Sequence, residues 1–369
     1  MSKLPSIPFT PLVESLPAAV PFIGPETLER RSGRPFRARI GANESAFGPS
    51  PAARAAMVEA AATASLYGDP ESLELRTKLA RLHDVRVEEV LVGAGIDEIL
   101  GNIVRMTVEP GQPVVTSLGA YPTFTYHIAG FGGVIEAVPY RDDREDPQGL
   151  LDAARRTGAR LLYISNPDNP MGSWHEAGTI EAMIARVPQG VLLVLDEAYA
   201  DFAADGIVPA IDTSNPSVIR LRTFSKAHGL AGARIGYAIA HEALVTGLGK
   251  IRNYFGVNRL AQAAAMASLD DTGFLASVCR EVETGRAEYG RIAGELGMRA
   301  LPSMTNFVAI DTGGGERSRG LQRALDERGV FIRMPGVAPL DRCIRVTVGN
   351  RRERAIFAEC LSELVHKGF

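Results

Sequence analysis

Between residues 90 and 240 the chain repeats one pattern: a short, almost wholly apolar run, then a longer stretch of helical periodicity. The runs cover residues 90–93, 113–117, 134–140, 160–165, 191–196, 218–223 and 235–240. Several lack the polar alternation of a half-solvated strand, which marks strands buried on both faces. Such strands need helices above and below, so the pattern predicts an α/β fold around a mostly parallel central sheet. Beyond it, residues 242–269 read as one long helical stretch leading to a smaller α+β unit, with strands at 306–311, 330–334 and 343–348. Glycines make 313–317 a flexible loop. The first forty residues, rich in Pro, Arg and Gly, read as an arm packed with the small domain. At 369 residues one small core is not enough. The expected division is an arm over 1–40, a large domain over 41–255 and a small domain over 256–369.

Composition narrows the function classes. A net charge of -3 provides no basic field for nucleic acid or an anionic membrane. No apolar run approaches the length of a membrane span. The opening residues are broken by prolines and carry no secretory apolar core. Three scattered cysteines (Cys279, Cys343, Cys360) fit a reducing compartment, and no His or Cys spacing suits a metal. A cytoplasmic enzyme without a metal is expected.

Of 40 basic residues only five are lysines, and only Lys226, in Thr223-Phe-Ser-Lys226, directly follows a strand-like run. Ligands of open α/β sheets sit at that edge, where a lysine can form an imine with an aldehyde and act as a base. Taken alone it is equally a solvated surface lysine. Asp196 ends a five-residue apolar run, with Tyr199 three residues on. A carboxylate in that place is partly buried and suits a cationic ring nitrogen, though a helix cap or a magnesium ligand fits too.

Asn169 lies in the Asx-Pro turn that starts at Asn166. Gly95-Ile96-Asp97 opens a helix whose free N–H groups suit phosphate, and Ser225 and Arg234 add donors. For stacking on a flat ring, Phe124 is the first choice and Tyr121 the second, against core packing as the usual fate of an aromatic. Arg345 stands among apolar residues and needs an anionic partner, from a substrate or from the protein; Arg333 can join it.

In this order the motifs resemble the fold-type I, class I/II aminotransferases, above all their histidinol-phosphate branch. The resemblance runs from Ala42-Asn43-Glu44 to Arg345-Val-Thr-Val-Gly349, nearly the whole chain. It implies pyridoxal 5'-phosphate as cofactor, bound by the large domain, and an amino acid and a 2-oxo acid as substrates. Lys226 is then the imine lysine and Asp196 the partner of the pyridine nitrogen. Tyr199 and Asn169 hold the ring hydroxyl, and Phe124 stacks on the ring. Ser225, Arg234 and the backbone at Ile96 and Asp97 hold the phosphate. Tyr67 reaches the neighbouring subunit's phosphate, which implies a homodimer with shared active sites. Arg345, Arg333 and Asn43 lie on the substrate side.

Three positions depart from the family pattern. Met171 replaces a usual Thr, Phe124 a frequent Tyr, and Phe22 a Tyr common near the substrate phosphate of histidinol-phosphate enzymes. An aromatic or broad-specificity aminotransferase therefore stays open, as does a decarboxylase such as a threonine-phosphate decarboxylase on the same scaffold.

Overall fold

The computed structural model describes residues 7–18 and 22–369; residues 1–6 and 19–21 of the expected arm lie outside it. Twelve strands follow in chain order among the described residues. They are β1 (Ala38–Arg39), β2 (Val90–Gly93), β3 (Pro113–Ser117), β4 (Val134–Val138), β5 (Leu161–Ser165), β6 (Leu192–Asp196), β7 (Val218–Thr223), β8 (Gly236–Ala240), β9 (Arg299–Ala300), β10 (Phe307–Asp311), β11 (Val330–Phe331) and β12 (Cys343–Thr347).

Seven strands make one sheet in the order β2-β8-β7-β6-β5-β3-β4. Pairing is parallel from β7 to β4, and β8 alone runs against its neighbours. Every residue of β5 and β6 is buried, as their unbroken apolar sequences require. Edge strand β4 keeps Val134 and Ile135 exposed. Helices Ile96–Thr107 and Pro122–Gly130 cover one face of the sheet, and Pro147–Thr157 and Ala177–Ile184 the other. The chain reverses direction across the sheet between β3 and β5. The carboxyl ends of β3, β5, β6 and β7 therefore open into a crevice, the usual ligand position in such sheets.

The C-terminal part has its own core. Strand β10 lies antiparallel between β12 and β9, under helices Thr272–Glu295, Gly315–Glu327 and Arg351–His366. Strand β1 pairs parallel with β11, which ties the N-terminal segment to this C-terminal core. Asn350 caps the last helix through a reciprocal bond with Glu353.

Two expectations need correction. Residues 242–269 form two helices, Glu242–Gly249 and Arg259–Asp270. Gly247 and Gly249 weaken the first, Gly256 lies in the segment between the two helices, and Asn258 starts the second by accepting from Ala261 N–H at 2.8 Å. The expected loop at 313–317 is also shorter, because a helix begins at Gly315. Among the described residues no helix is long and apolar enough to cross a membrane, and no His/Cys/Asp/Glu group is placed to hold a metal.

Candidate active site

A cavity of about 530 Å³ lies at the carboxyl edge of the large sheet, closed by the Asn43 segment and by Arg345 of β12. Strand β6 delivers Asp196 to its floor. One oxygen accepts from Tyr163 Oη at 2.7 Å and the other from Ala198 N–H at 2.9 Å. No cation pairs with it among the described residues. Burial pushes its carboxyl up to about 6, against the hydrogen bonds that favour the charged form.

Strand β7 ends two residues before Ser225, whose N–H turns back to Thr223 Oγ1 at 3.0 Å. Phe224 is buried beneath, so Lys226 emerges into the cavity. Its Nζ donates to the Asn43 carbonyl at 3.0 Å and meets no carboxylate. Burial, aided by the Arg345 charge, lowers the amine to about 8. Tyr199 Oη accepts from Asn43 Nδ2 at 2.9 Å, and its ring packs edge-on to Phe307. Asn43 holds a left-handed φ of 56°; Thr347 Oγ1 bonds both its N–H and its Oδ1.

At the far end, Gly95 precedes helix Ile96–Thr107 at a φ of +86°. A Cβ on Gly95 would lie 2.5 Å from Arg234 Nη2, so only glycine leaves the guanidinium room. Ile96, Asp97, Ser225 and Arg234 all line this end. Arg234 is half exposed, 3.7 Å from Asp97 Oδ2 and 3.1 Å from the Ala231 carbonyl.

Arg345 closes the other side. Its Nη1 donates to Asn169 Oδ1 at 2.5 Å and its Nη2 to the Gly41 carbonyl at 3.1 Å. Its buried Nε has no partner, and it makes no salt bridge among the described residues. Asn169 thus reaches the cavity on the turn after β5, in contact with Arg345.

Phe124 does not face the cavity. It is fully buried, stacked on Tyr163 at 4.6 Å between helix and sheet. Helix Pro122–Gly130 starts at Pro122, which turns its third residue inward; Tyr121, before the helix, lines the cavity and donates to Asp97 Oδ1 at 2.7 Å. Of the two aromatics weighed for stacking, Tyr121 lines the cavity and Phe124 does not. Arg333 pairs with Arg345 only through the backbone. Its guanidinium lies 4.0 Å over the Phe22 ring and donates to the Ile23 carbonyl; Phe22, not Arg333, lines the cavity. Arg333 reaches the site through that ring, not by its own charge. Tyr67 is exposed, stacked on Phe255 outside this cavity.

Sequence reasoning missed Tyr163, Ser165 and Glu44, which also line the cavity. A tyrosine inside an apolar strand must bond its hydroxyl, and Ser165 pairs in register with Asp196. The hydroxyl's need for a partner was the available signal for Tyr163.

The family model for aminotransferase class I and II matches residues 39–361. A histidinol-phosphate aminotransferase of Roseiflexus castenholzii is 36% identical over 96% of this chain and 97% of its own. The crystal structure of a histidinol-phosphate aminotransferase from Sinorhizobium meliloti, in complex with pyridoxal-5'-phosphate, superposes with a TM-score of 0.95 at 49% identity, covering 98% of each chain. An L-threonine-O-3-phosphate decarboxylase from Porphyromonas gingivalis gives a TM-score of 0.75 at 20% identity over 89% of this chain and 98% of its own, a likeness of fold alone.

Proposed function

The chain belongs to the class I and II aminotransferase family, and on that premise we propose that it transfers the amino group of histidinol phosphate to 2-oxoglutarate, giving imidazole-acetol phosphate and glutamate. It is a pyridoxal-phosphate-dependent aminotransferase. The observation that carries the reading is a charge imbalance in one cavity. Among the described residues Asp196 has no cation, Arg345 has no carboxylate, and Lys226 has only a carbonyl. Buried charges are costly unless paired, so this set fits a ligand that is cationic at one point and anionic at others.

The cofactor's groups match those unpaired charges. Asp196 would hold a protonated pyridine nitrogen, Tyr199 and Asn169 the ring hydroxyl, and Tyr121 one ring face. Ser225, Arg234 and the N–H groups at Ile96 and Asp97 would hold the phosphate. Bound pyridoxal phosphate supplies an aldehyde for amines and a ring that accepts the electron pair left at the substrate Cα. Lys226 Nζ, a weakened base near neutrality, takes the substrate Cα proton. Tyr163 keeps Asp196 oriented toward the ring. Arg345, with Asn43 beside it, would grip the substrate's anionic group, and the Phe22–Arg333 pair would wall the substrate side.

We also read the protein as a cytoplasmic homodimer with an arm over 1–40, a large domain over 41–255 and a small domain over 256–369. Exposed Tyr67, Tyr254 and Phe255 support the dimer, since grouped aromatics favour an interface; sedimentation tests it.

Single half-reactions with histidinol phosphate, phenylalanine, tyrosine and glutamate test the substrate. Fastest cofactor amination by histidinol phosphate is expected. Preference for phenylalanine or tyrosine would make it an aromatic aminotransferase, and carbon dioxide release a decarboxylase.

A further inference from the structure

Two more carboxylates lie buried together behind the cavity wall, and the proposed chemistry does not use them. Glu145 and Asp168 are 2% and 1% exposed. Glu145 follows a tight turn after β4 that holds Asp142 and Asp143 at left-handed φ. Asp168 sits in the turn after β5, directly before Asn169. They stand 23 residues apart in sequence and meet because β3 and β5 are neighbours in the sheet.

The surrounding donors divide unevenly. Glu145 accepts from Ser117 Oγ at 2.6 Å and from Ser165 N–H and Oγ, both at 2.9 Å. These bonds pin it to the ends of β3 and β5. Asp168 accepts from Tyr140 Oη at 2.7 Å, Met171 N–H at 3.1 Å and Ser173 Oγ at 3.5 Å. The Ser165 hydroxyl also lies 3.4 Å from Asp168, but it has one proton to give.

Among the described residues no Lys, Arg or His side chain bonds either carboxylate. The His175 ring takes the Glu145 backbone carbonyl instead, and Arg144 bonds the Trp174 carbonyl. Tyr140, Tyr163, Tyr199 and Arg345 are the other titratable or charged groups near the pair.

Two anions packed without a cation do not both stay ionised. We propose that Glu145 and Asp168 share one proton and act as positioning residues that hold the 166–173 turn so that Asn169 stays against Arg345. The inference rests on the reading of Arg345 as the substrate-anion arginine. Burial pushes both carboxyls up, in keeping with a proton retained at neutral pH. Once that proton leaves, repulsion falls on Asp168, whose donors at 2.7, 3.1 and 3.5 Å hold it less closely than those of Glu145 at 2.6 and 2.9 Å. Asn169 then moves from the Arg345 fork, and the effect falls on binding of the anionic substrate rather than on proton transfer at Lys226.

The test uses the holoenzyme with Glu145→Gln, Glu145→Ala and Asp168→Asn. Infrared spectra near neutral pH should contain a carboxylic-acid C=O band that shifts in D2O and is missing in Glu145→Gln. KM for an anionic donor should rise at alkaline pH in the parent and stay flat in Glu145→Gln, with kcat unaffected by the difference. Glu145→Ala should raise KM roughly 10-fold at neutral pH, and Glu145→Gln should restore it. Asp168→Asn should raise KM by a comparable factor.

A band that persists unchanged in both Glu145→Gln and Asp168→Asn overturns the proposal. So do identical KM–pH profiles for parent and Glu145→Gln. If Glu145→Ala does not fold, the infrared comparison still decides. If Arg345→Gln leaves KM unchanged, the substrate reading fails separately, because the infrared band does not depend on it.

Discussion

Asp196 ends β6, and Glu197 follows it on the opposite face of the sheet. Glu197 is fully buried and ion-paired with both Arg220 and Arg222, and Arg220 also donates to the carbonyls of Pro209 and Ala210 at 2.8 and 2.7 Å. Burial alone would raise Glu197, but the two guanidiniums outweigh it and hold the carboxyl below its ordinary range. Across the sheet, Asp196 is also buried, Lys226 and Arg345 are partly buried, and all three remain without counter-charges among the described residues. The first cluster is closed and serves the fold. The second is open, and its missing charges outline what it binds. A buried charge therefore says little by itself; whether the protein neutralises it separates architecture from chemistry.

Five substitutions can break or sharpen that contrast. The largest effect is expected from Lys226→Ala, which should lower kcat by at least about 10⁴-fold while leaving the thermal midpoint no lower, since a buried amine without a carboxylate is removed.

Next comes the pair of neighbouring acids. Glu197→Gln should destabilise the protein by about 3–5 kcal/mol in urea unfolding, because Arg220 is left buried without its anion. Asp196→Asn should instead lower kcat by about 10²–10³-fold with the fold intact. Their pH dependences carry opposite signs. Asp196 holds its proton longer folded than unfolded, so its contribution to stability falls as pH rises from 3.8 to about 6. Glu197 is lowered from 4.5, so its contribution is present above that value and lost as pH falls below it. Parent-minus-variant stability curves in cofactor-free protein should slope in opposite directions; parallel slopes would remove the distinction.

Arg345→Gln should raise KM for the anionic substrate by about 10–100-fold, the worth of a charged hydrogen bond, and leave urea stability equal or higher. A large stability loss would instead group Arg345 with Arg220. Tyr163→Phe should be mildest, lowering kcat by roughly 5–10-fold through one lost hydrogen bond to Asp196, with little change in KM.

Much of this was legible in the chain. Unbroken apolar runs announced buried parallel strands, because a strand covered on both faces has no polar positions to spare. Each run's end marked where the next side chain would emerge, which brought Asp196, Asn169 and Lys226 to one cavity. Gly95 was readable as the glycine between an apolar run and a helix, and its φ of +86° bears out the need for glycine there.

Other features turned on where an element starts or on elements distant in sequence. Phe124 and Tyr121 are three residues apart, and the start of the helix at Pro122 decides which is core and which is wall. Arg333 is a cation by sequence, but its stacking on Phe22 depends on how the N-terminal segment crosses the C-terminal core. Glu145 and Asp168 look like ordinary surface acids until the sheet order brings them together. Residue order thus settled the buried strands of the large sheet and the side chains at their ends, because local hydrophobic pattern and backbone geometry suffice for those, while the reversed direction of β8 did not show in it. Which charges found partners was decided only in three dimensions, since neutralisation depends on the sheet order and on segments as remote as Asn43, Asn169 and Arg345 closing over one crevice.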